Sequence, residues 1–141
     1  MSNFWTALLL FGLFTQANDG IHQQAPESTA EARLTTVKLF AFGGIGFAGV
    51  RSRGEQDYRE VMSRPDRLHI LERVLDAGTP EAKAFALVGI YRLRRDRFLS
   101  LASSLRASKD EVRTARGCII GRTTLGKLVQ DIAAGTYVRE L

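Results

Sequence analysis

Residues 68–93, LHILERVLDAGTPEAKAFALVGIYRL, decide the fold class. The first half is amphipathic: Leu68, Leu71 and Leu75 recur at helical spacing on one face, while His69, Glu72, Arg73 and Asp76 share the other. Pro65 suits the first turn of that helix, and Gly78 stops it. Thr79-Pro80-Glu81 then supplies a cap residue, a first-turn proline and an acid on the helix dipole. The second half, Ala84 to Tyr91, is apolar on every face. A helix of that kind must be surrounded, so it is the expected centre of the core.

Working outward, the same pattern predicts three more helices. Ser52 and Glu55 form a capping-box pair before Tyr58, Val61 and Met62. Asp96 is positioned to cap a helix carrying Phe98, Leu101, Ala102 and Leu105. Leu125, Leu128, Val129, Ile132 and Ala133 make the cleanest stripe, with Thr123 or Thr124 as cap and Gly135 as stop. Two further capping-box patterns, Ser28 to Glu31 and Ser108 to Glu111, mark a short early helix and one soon broken by Gly117. Val37 to Phe42 leans to an extended segment, because four glycines follow within GGIGFAG. The expectation is a mainly α, compact five-helix domain with at most one or two short extended segments, around residues 37–49 and 112–120.

The stretch Leu68 to Leu93 resembles a unit of HEAT-like helical repeats: an amphipathic helix, a tight Gly-Thr-Pro turn and an Ala-rich inner helix. The likeness covers about one fifth of the chain, and no second copy is visible at the family period of about 40 residues. What the resemblance implies is a helical scaffold presenting a surface to a partner. It implies no chemistry.

The amino terminus carries an address. Trp5 to Phe14 is apolar and uncharged, too short for a typical spanning helix of about 20 residues. Thr15-Gln16-Ala17 then offers small residues where a signal peptidase reads, although the first three residues hold no Lys or Arg. Residues 1–17 are read as a signal peptide, 18–36 as a polar tether and 37–141 as a single α-helical domain. The implied location is periplasmic or extracellular, the alternative being an uncleaved N-terminal anchor.

The chain of 141 residues has a net charge of +5, with sixteen arginines to four lysines. The guanidinium fork suits anionic partners. After export those are a protein, an anionic polymer or a membrane surface, and no nucleic acid is expected. The densest cluster, Arg92, Arg94, Arg95 and Arg97, is the candidate binding site; the competing account is that it completes a helix C-terminus. Cys118 is the only cysteine, which excludes an internal disulfide, and its apolar setting reads as a small buried hydrophobe.

Catalytic patterns are weak. Gly44 to Gly49 fits G-x-G-x-x-G but lacks a following apolar helix, and reads better as a turn allowing close backbone approach. Gly121 to Lys127 nearly matches a P-loop, but Leu128 stands where a hydroxyl would hold magnesium. Cys118 with His69 or His22 would make a Cys/His pair, yet His22 lies in the tether and His69 on a charged face. Glu55, Asp57 and Glu60 could serve as paired carboxylates, but Glu55 is expected to pair with Arg59 while Asp57 and Glu60 face solvent. No metal shell, cofactor or catalytic set is assigned. An exported, non-catalytic interaction protein (adaptor, inhibitor or immunity-type module) is the leading expectation. The alternatives are a small envelope hydrolase and a binder of anionic lipid or wall polymer.

Overall fold

The computed structural model describes residues 28–138. Residues 1–17, read as a signal peptide, and residues 18–27 of the stretch read as a tether, with His22, lie outside the described residues. The fold is mainly α, with helices α1 (Ala30–Thr35), α2 (Arg53–Met62), α3 (Arg67–Ala77), α4 (Pro80–Leu93), α5 (Arg95–Leu105) and α6 (Leu125–Ala133). Two antiparallel hairpins interrupt them: β1 (Gly44–Ile45) with β2 (Val50–Arg51), and β3 (Glu111–Arg116) with β4 (Ile119–Thr124).

Helix α4 is the centre, as its all-round apolarity predicts. Ala82 and every residue from Ala84 to Ile90 are buried, with α1, α2, α3, α5, α6 and β3 packed around them. Thr79 Oγ1 accepts from Ala82 N at 3.2 Å, so the predicted cap is made. Thr79 also donates to Val37 O, tying the start of α4 to the extended segment. That segment delivers Phe40 and Phe42 into an aromatic cluster with Tyr58, Phe85 and Tyr137, mostly edge-on, with centroids 4.9–6.1 Å apart for the Phe40 and Phe42 contacts with these rings. Edge-to-face packing matches ring edges to ring faces and adds about 0.5–1.5 kcal/mol per pair beyond burial.

The early helix is part of the packed body. Ala30 and Leu34 of α1 are in the core, so residues 30–36, read as tether, belong to the domain. Its cap is Thr29, which accepts from Ala32 N at 3.2 Å; Glu31 leaves the expected capping box and takes Arg73 in a two-point pair at 2.7 and 2.8 Å. Helix α3 begins at Arg67, after Pro65, and its N-cap Asp66 makes no side-chain cap bond. Helix α5 is capped at Arg94, with Asp96 inside its first turn.

The Ser108–Glu111 box caps no helix. Glu111 opens β3, and Ser108 Oγ donates to Asp110 Oδ2 at 3.0 Å. The β-branched Val112 and Thr114 pair with Thr123 and Gly121 across the hairpin, and that long-range pairing outweighs the local capping pattern. Phe40 continues the arrangement on the other side of β3: its N–H donates to Arg113 O at 2.8 Å, and Ala115 N–H donates to Phe40 O at 3.2 Å. At the next junction Thr124 caps α6, accepting from Lys127 N at 3.2 Å.

Candidate functional site

The arginine cluster Arg92, Arg94, Arg95 and Arg97 lies at the α4–α5 corner and is exposed. Most of its charge is answered inside the molecule. Arg94 grips Asp96 at 3.2 and 2.9 Å, and that guanidinium holds the Asp96 carboxyl below its ordinary range. Arg97 reaches Glu72 at 2.8 Å, and Arg95 stacks over the Tyr91 ring with its guanidinium carbon 5.3 Å from the centroid. Arg92 stands near Tyr58, whose phenol is pushed up by burial, with Arg92 opposing that shift; the buried hydroxyl has no well-aligned partner among the described residues.

The three carboxylates of α2 are not on one solvated face. Asp57 is buried and accepts from Arg33 Nε at 2.7 Å, while Glu60 takes the same guanidinium at 2.9 Å. The expectation that both face solvent fails for Asp57, because α1 lays Arg33 across this side of α2. Glu55 is wholly buried and pairs with Arg59 at 2.9 Å as predicted. Its second oxygen accepts from Gly43 N–H at 2.9 Å instead of closing the capping box on Ser52. Ser52 Oγ meanwhile accepts from Glu55 N at 3.0 Å and donates to Ala41 O at 2.9 Å. These bonds make Glu55 and Ser52 the clamp that fixes the glycine segment to α2.

GGIGFAG is the turn that close backbone approach requires. A Cβ on Gly44 would sit 2.8 Å from Gly49 O, so the two glycines face each other across the β1–β2 pair. The intervening Phe47 stands fully out, at 104% relative exposure. The P-loop lookalike is a paired strand: Gly121 and Arg122 lie opposite Thr114 and Arg113 in the β3–β4 ladder. Cys118 is exposed in the turn between those strands, and the expectation of a buried small hydrophobe is overturned. Gly117, at φ +56°, takes the left-handed backbone of a two-residue hairpin turn, which lifts Cys118 to the apex. His69 is exposed on α3, 3.8 Å from Glu72, and no hydrogen bond joins it to Cys118. Among the described residues no group of His, Cys, Asp or Glu is arranged to hold a metal ion, and no helix is long and apolar enough to cross a membrane.

What the fold brings together is the two turns. Gly46 N–H donates to Gly117 O at 2.9 Å, and Ile45 bridges Gly117. The joined tip exposes Phe47, Val50, Ile119 (75%) and Ile120 (69%) beside Cys118. Arg51, Arg116 and Arg122 follow within a few residues, all exposed. Arg51 approaches buried Glu55 at 3.4 Å, and Arg122 meets Glu111 at 2.9 Å. Arg113 lies directly opposite Arg122, a like-charge pairing whose repulsion the Arg122–Glu111 pair reduces. Beside the tip, a shallow recess of about 590 Å³ is lined by the glycine turn, Val50, Arg51, Gln56 and Arg59, with the Glu55 carboxylate that pairs with both arginines at its floor. A smaller cavity of about 250 Å³ between β3, β4, α6 and Phe40 contains Asp131, which Lys127 holds, and no nucleophile–base pair among its lining residues.

The sequence matches no protein-family model, no curated protein and no solved structure.

Proposed function

We propose that the protein is a non-catalytic interaction module whose working surface is the joined tip of the two glycine turns. One observation carries this reading: Phe47 on the first turn and Ile119 and Ile120 at the start of β4 beside the second are all exposed, and a hydrogen bond joins the two turns. Solitary exposed apolar residues are ordinary, but a cluster of large ones on a fixed scaffold marks a place where something binds. The turns are already ordered by the Gly46–Gly117 bond and the Glu55–Gly43 clamp, so little ordering entropy opposes association. A HEAT-like origin for the α3–α4 hairpin is retained as part of the proposal; the hairpin then serves as the scaffold behind the tip. Export through residues 1–17 is likewise retained, and it would set the tip in the cell envelope, in the manner of an adaptor or inhibitor.

The test is an envelope-association assay in the producing cell. Phe47→Ser with Ile119→Ser and Ile120→Ser should release the protein from its envelope fraction while leaving the thermal midpoint unchanged. Retention of the triple variant at wild-type level would refute the tip as the working surface. Sequencing of the mature amino terminus should begin at Asn18; an intact Met1 on a soluble cytosolic protein would remove export from the proposal.

A further inference from the structure

We infer that the tip is a seat on a lipid bilayer bearing anionic headgroups, with Phe47, Ile119 and Ile120 entering the interfacial layer and the arginines behind them meeting phosphates. This rests on the tip being the working surface, and it names the partner.

Charge is the first support. Segments 37–54 and 111–130, which build the two turns, their stems and the start of α6, hold Lys38, Arg51, Arg53, Arg113, Arg116, Arg122 and Lys127 against one acid, Glu111. Taking those from the chain's twenty cations and fifteen acids leaves thirteen cations against fourteen acids elsewhere. The excess of positive charge is therefore carried by these segments, although Arg51, Arg53, Arg122 and Lys127 also pair with Glu55, Asp57, Glu111 and Asp131. A helical body of nearly balanced charge would not orient itself on an anionic plane, whereas this polarised one would.

Shape is the second support. Phe47 stands fully outside the protein surface in the first turn, and Ile119 and Ile120 open β4 beside the second turn, exposed on its two faces. A protein partner would have to supply a pocket for each, together with acids for the collar. A bilayer interface accepts apolar wedges at any lateral position and offers phosphates about one turn-width behind them. The order along the chain fits that layering: in the second turn Cys118, Ile119 and Ile120 lead and Arg116 and Arg122 flank, and in the first Phe47 leads and Arg51 follows. The recess lined by Arg51, Gln56 and Arg59 lies where a headgroup would sit, with both arginines substantially exposed despite their bond to Glu55.

The chain supplies its own labelling site: Cys118 is its single cysteine. The full chain, labelled on Cys118 with a polarity-sensitive fluorophore, is mixed with vesicles of phosphatidylcholine alone or with one quarter phosphatidylglycerol. The expected result is a blue shift and quenching by brominated acyl chains on the anionic vesicles only, weakening as salt is raised. Arg51→Gln with Arg122→Gln should weaken partition about 25-fold, at about fivefold per cation near an anionic surface. Phe47→Ser with Ile119→Ser should abolish the Cys118 signal while the far-ultraviolet circular dichroism and the thermal midpoint stay unchanged. Ala48→Cys in a Cys118→Ser background should repeat the result from the first turn. A Cys118 label that stays in water on both vesicles, or responds equally to both, overturns the lipid seat. If it stays silent on vesicles but a photocrosslinker at Cys118 captures a protein in the envelope, the lipid seat falls and the working surface stands. Silence in both overturns both.

Discussion

Replacing Glu55 by alanine should cost about 2–6 kcal/mol, and most of that cost should fall on the first turn. The carboxylate is wholly buried, with Gly43 N–H at 2.9 Å, Arg59 Nε at 2.9 Å and Arg51 Nε at 3.4 Å. Losing the Gly43 bond removes a charge-assisted hydrogen bond of about 1.5–3 kcal/mol. Truncating the buried stem removes one methylene and adds about 0.8 kcal/mol. The two arginines are 62% and 42% exposed and regain water when released, so each ion pair contributes at most about 1 kcal/mol. Glu55→Gln preserves a side-chain acceptor for Gly43 and should cost about half as much. Urea unfolding measures the totals, and amide hydrogen exchange should show Gly43 to Val50 opening far below the global unfolding free energy. A loss under 1 kcal/mol for Glu55→Ala, or unchanged exchange across Gly43 to Val50, would refute the view that this carboxylate holds the turn to α2.

Leu87→Ala, at a wholly buried position of α4, should destabilise by about 2–5 kcal/mol in denaturant unfolding; a change below about 1 kcal/mol would mean α4 is not the centre. Gly44→Ala should destabilise and loosen the first turn, because the new Cβ meets Gly49 backbone atoms that cannot swing away; unaltered stability would contradict that close approach. The Glu31 carboxyl is held below its ordinary value of 4.5, chiefly by hydrogen bonding to Arg73. A depressed folded value means its stabilisation is complete above about pH 4.5 and is lost as pH falls through the lower folded value, so Arg73→Ala should flatten the acid limb of the stability profile. Arg94→Ala, which removes an exposed pair with Asp96, should leave the urea midpoint unchanged, and a clear loss would show the α4–α5 corner to depend on it.

The helices were legible where local rules and burial agree. Thr79, Ser52 and Thr124 cap where the sequence places caps, and the all-apolar Ala84 to Tyr91 stretch is the buried centre. Legibility ended where pairing between distant segments decides. Ser108 to Glu111 carries a helix-start pattern, but residues 111–116 find partners in 119–124 and in Phe40, which no local window contains. Asp57 looked solvated because Arg33, its partner, lies 24 residues away on a helix assigned to the tether. The tip was half legible. GGIGFAG announced a turn, yet the outward pose of Phe47 and the apex position of Cys118 follow from Gly46 docking on Gly117. A signal was present: two acid-free stretches, 37–54 and 112–130, each with a turn glycine beside an exposed hydrophobe.

The division between core and tip makes the functional reading separable from stability. Phe40, Phe85, Leu87 and Ile90 are buried beneath at most 2% exposure, whereas Phe47, Ile119 and Ile120 bury almost nothing in the isolated chain. Burial of a large apolar side chain stabilises by about 1.5–3 kcal/mol, so the tip residues forgo that contribution at three positions. Folding alone gives no reason for apolar side chains there, and serine at the same places would leave the core untouched. Glu55 joins the two halves: its carboxylate is buried like the core, but the backbone it holds is the stem of the exposed turn. Variants at the apex should therefore alter binding at constant stability, variants in α4 stability first, and Glu55 variants both together. A Glu55→Gln protein that unfolds at nearly the wild-type urea midpoint yet binds weakly would locate the Glu55 contribution in the pose of the turn. Equal fractional losses of binding and folded population would assign it to folding alone.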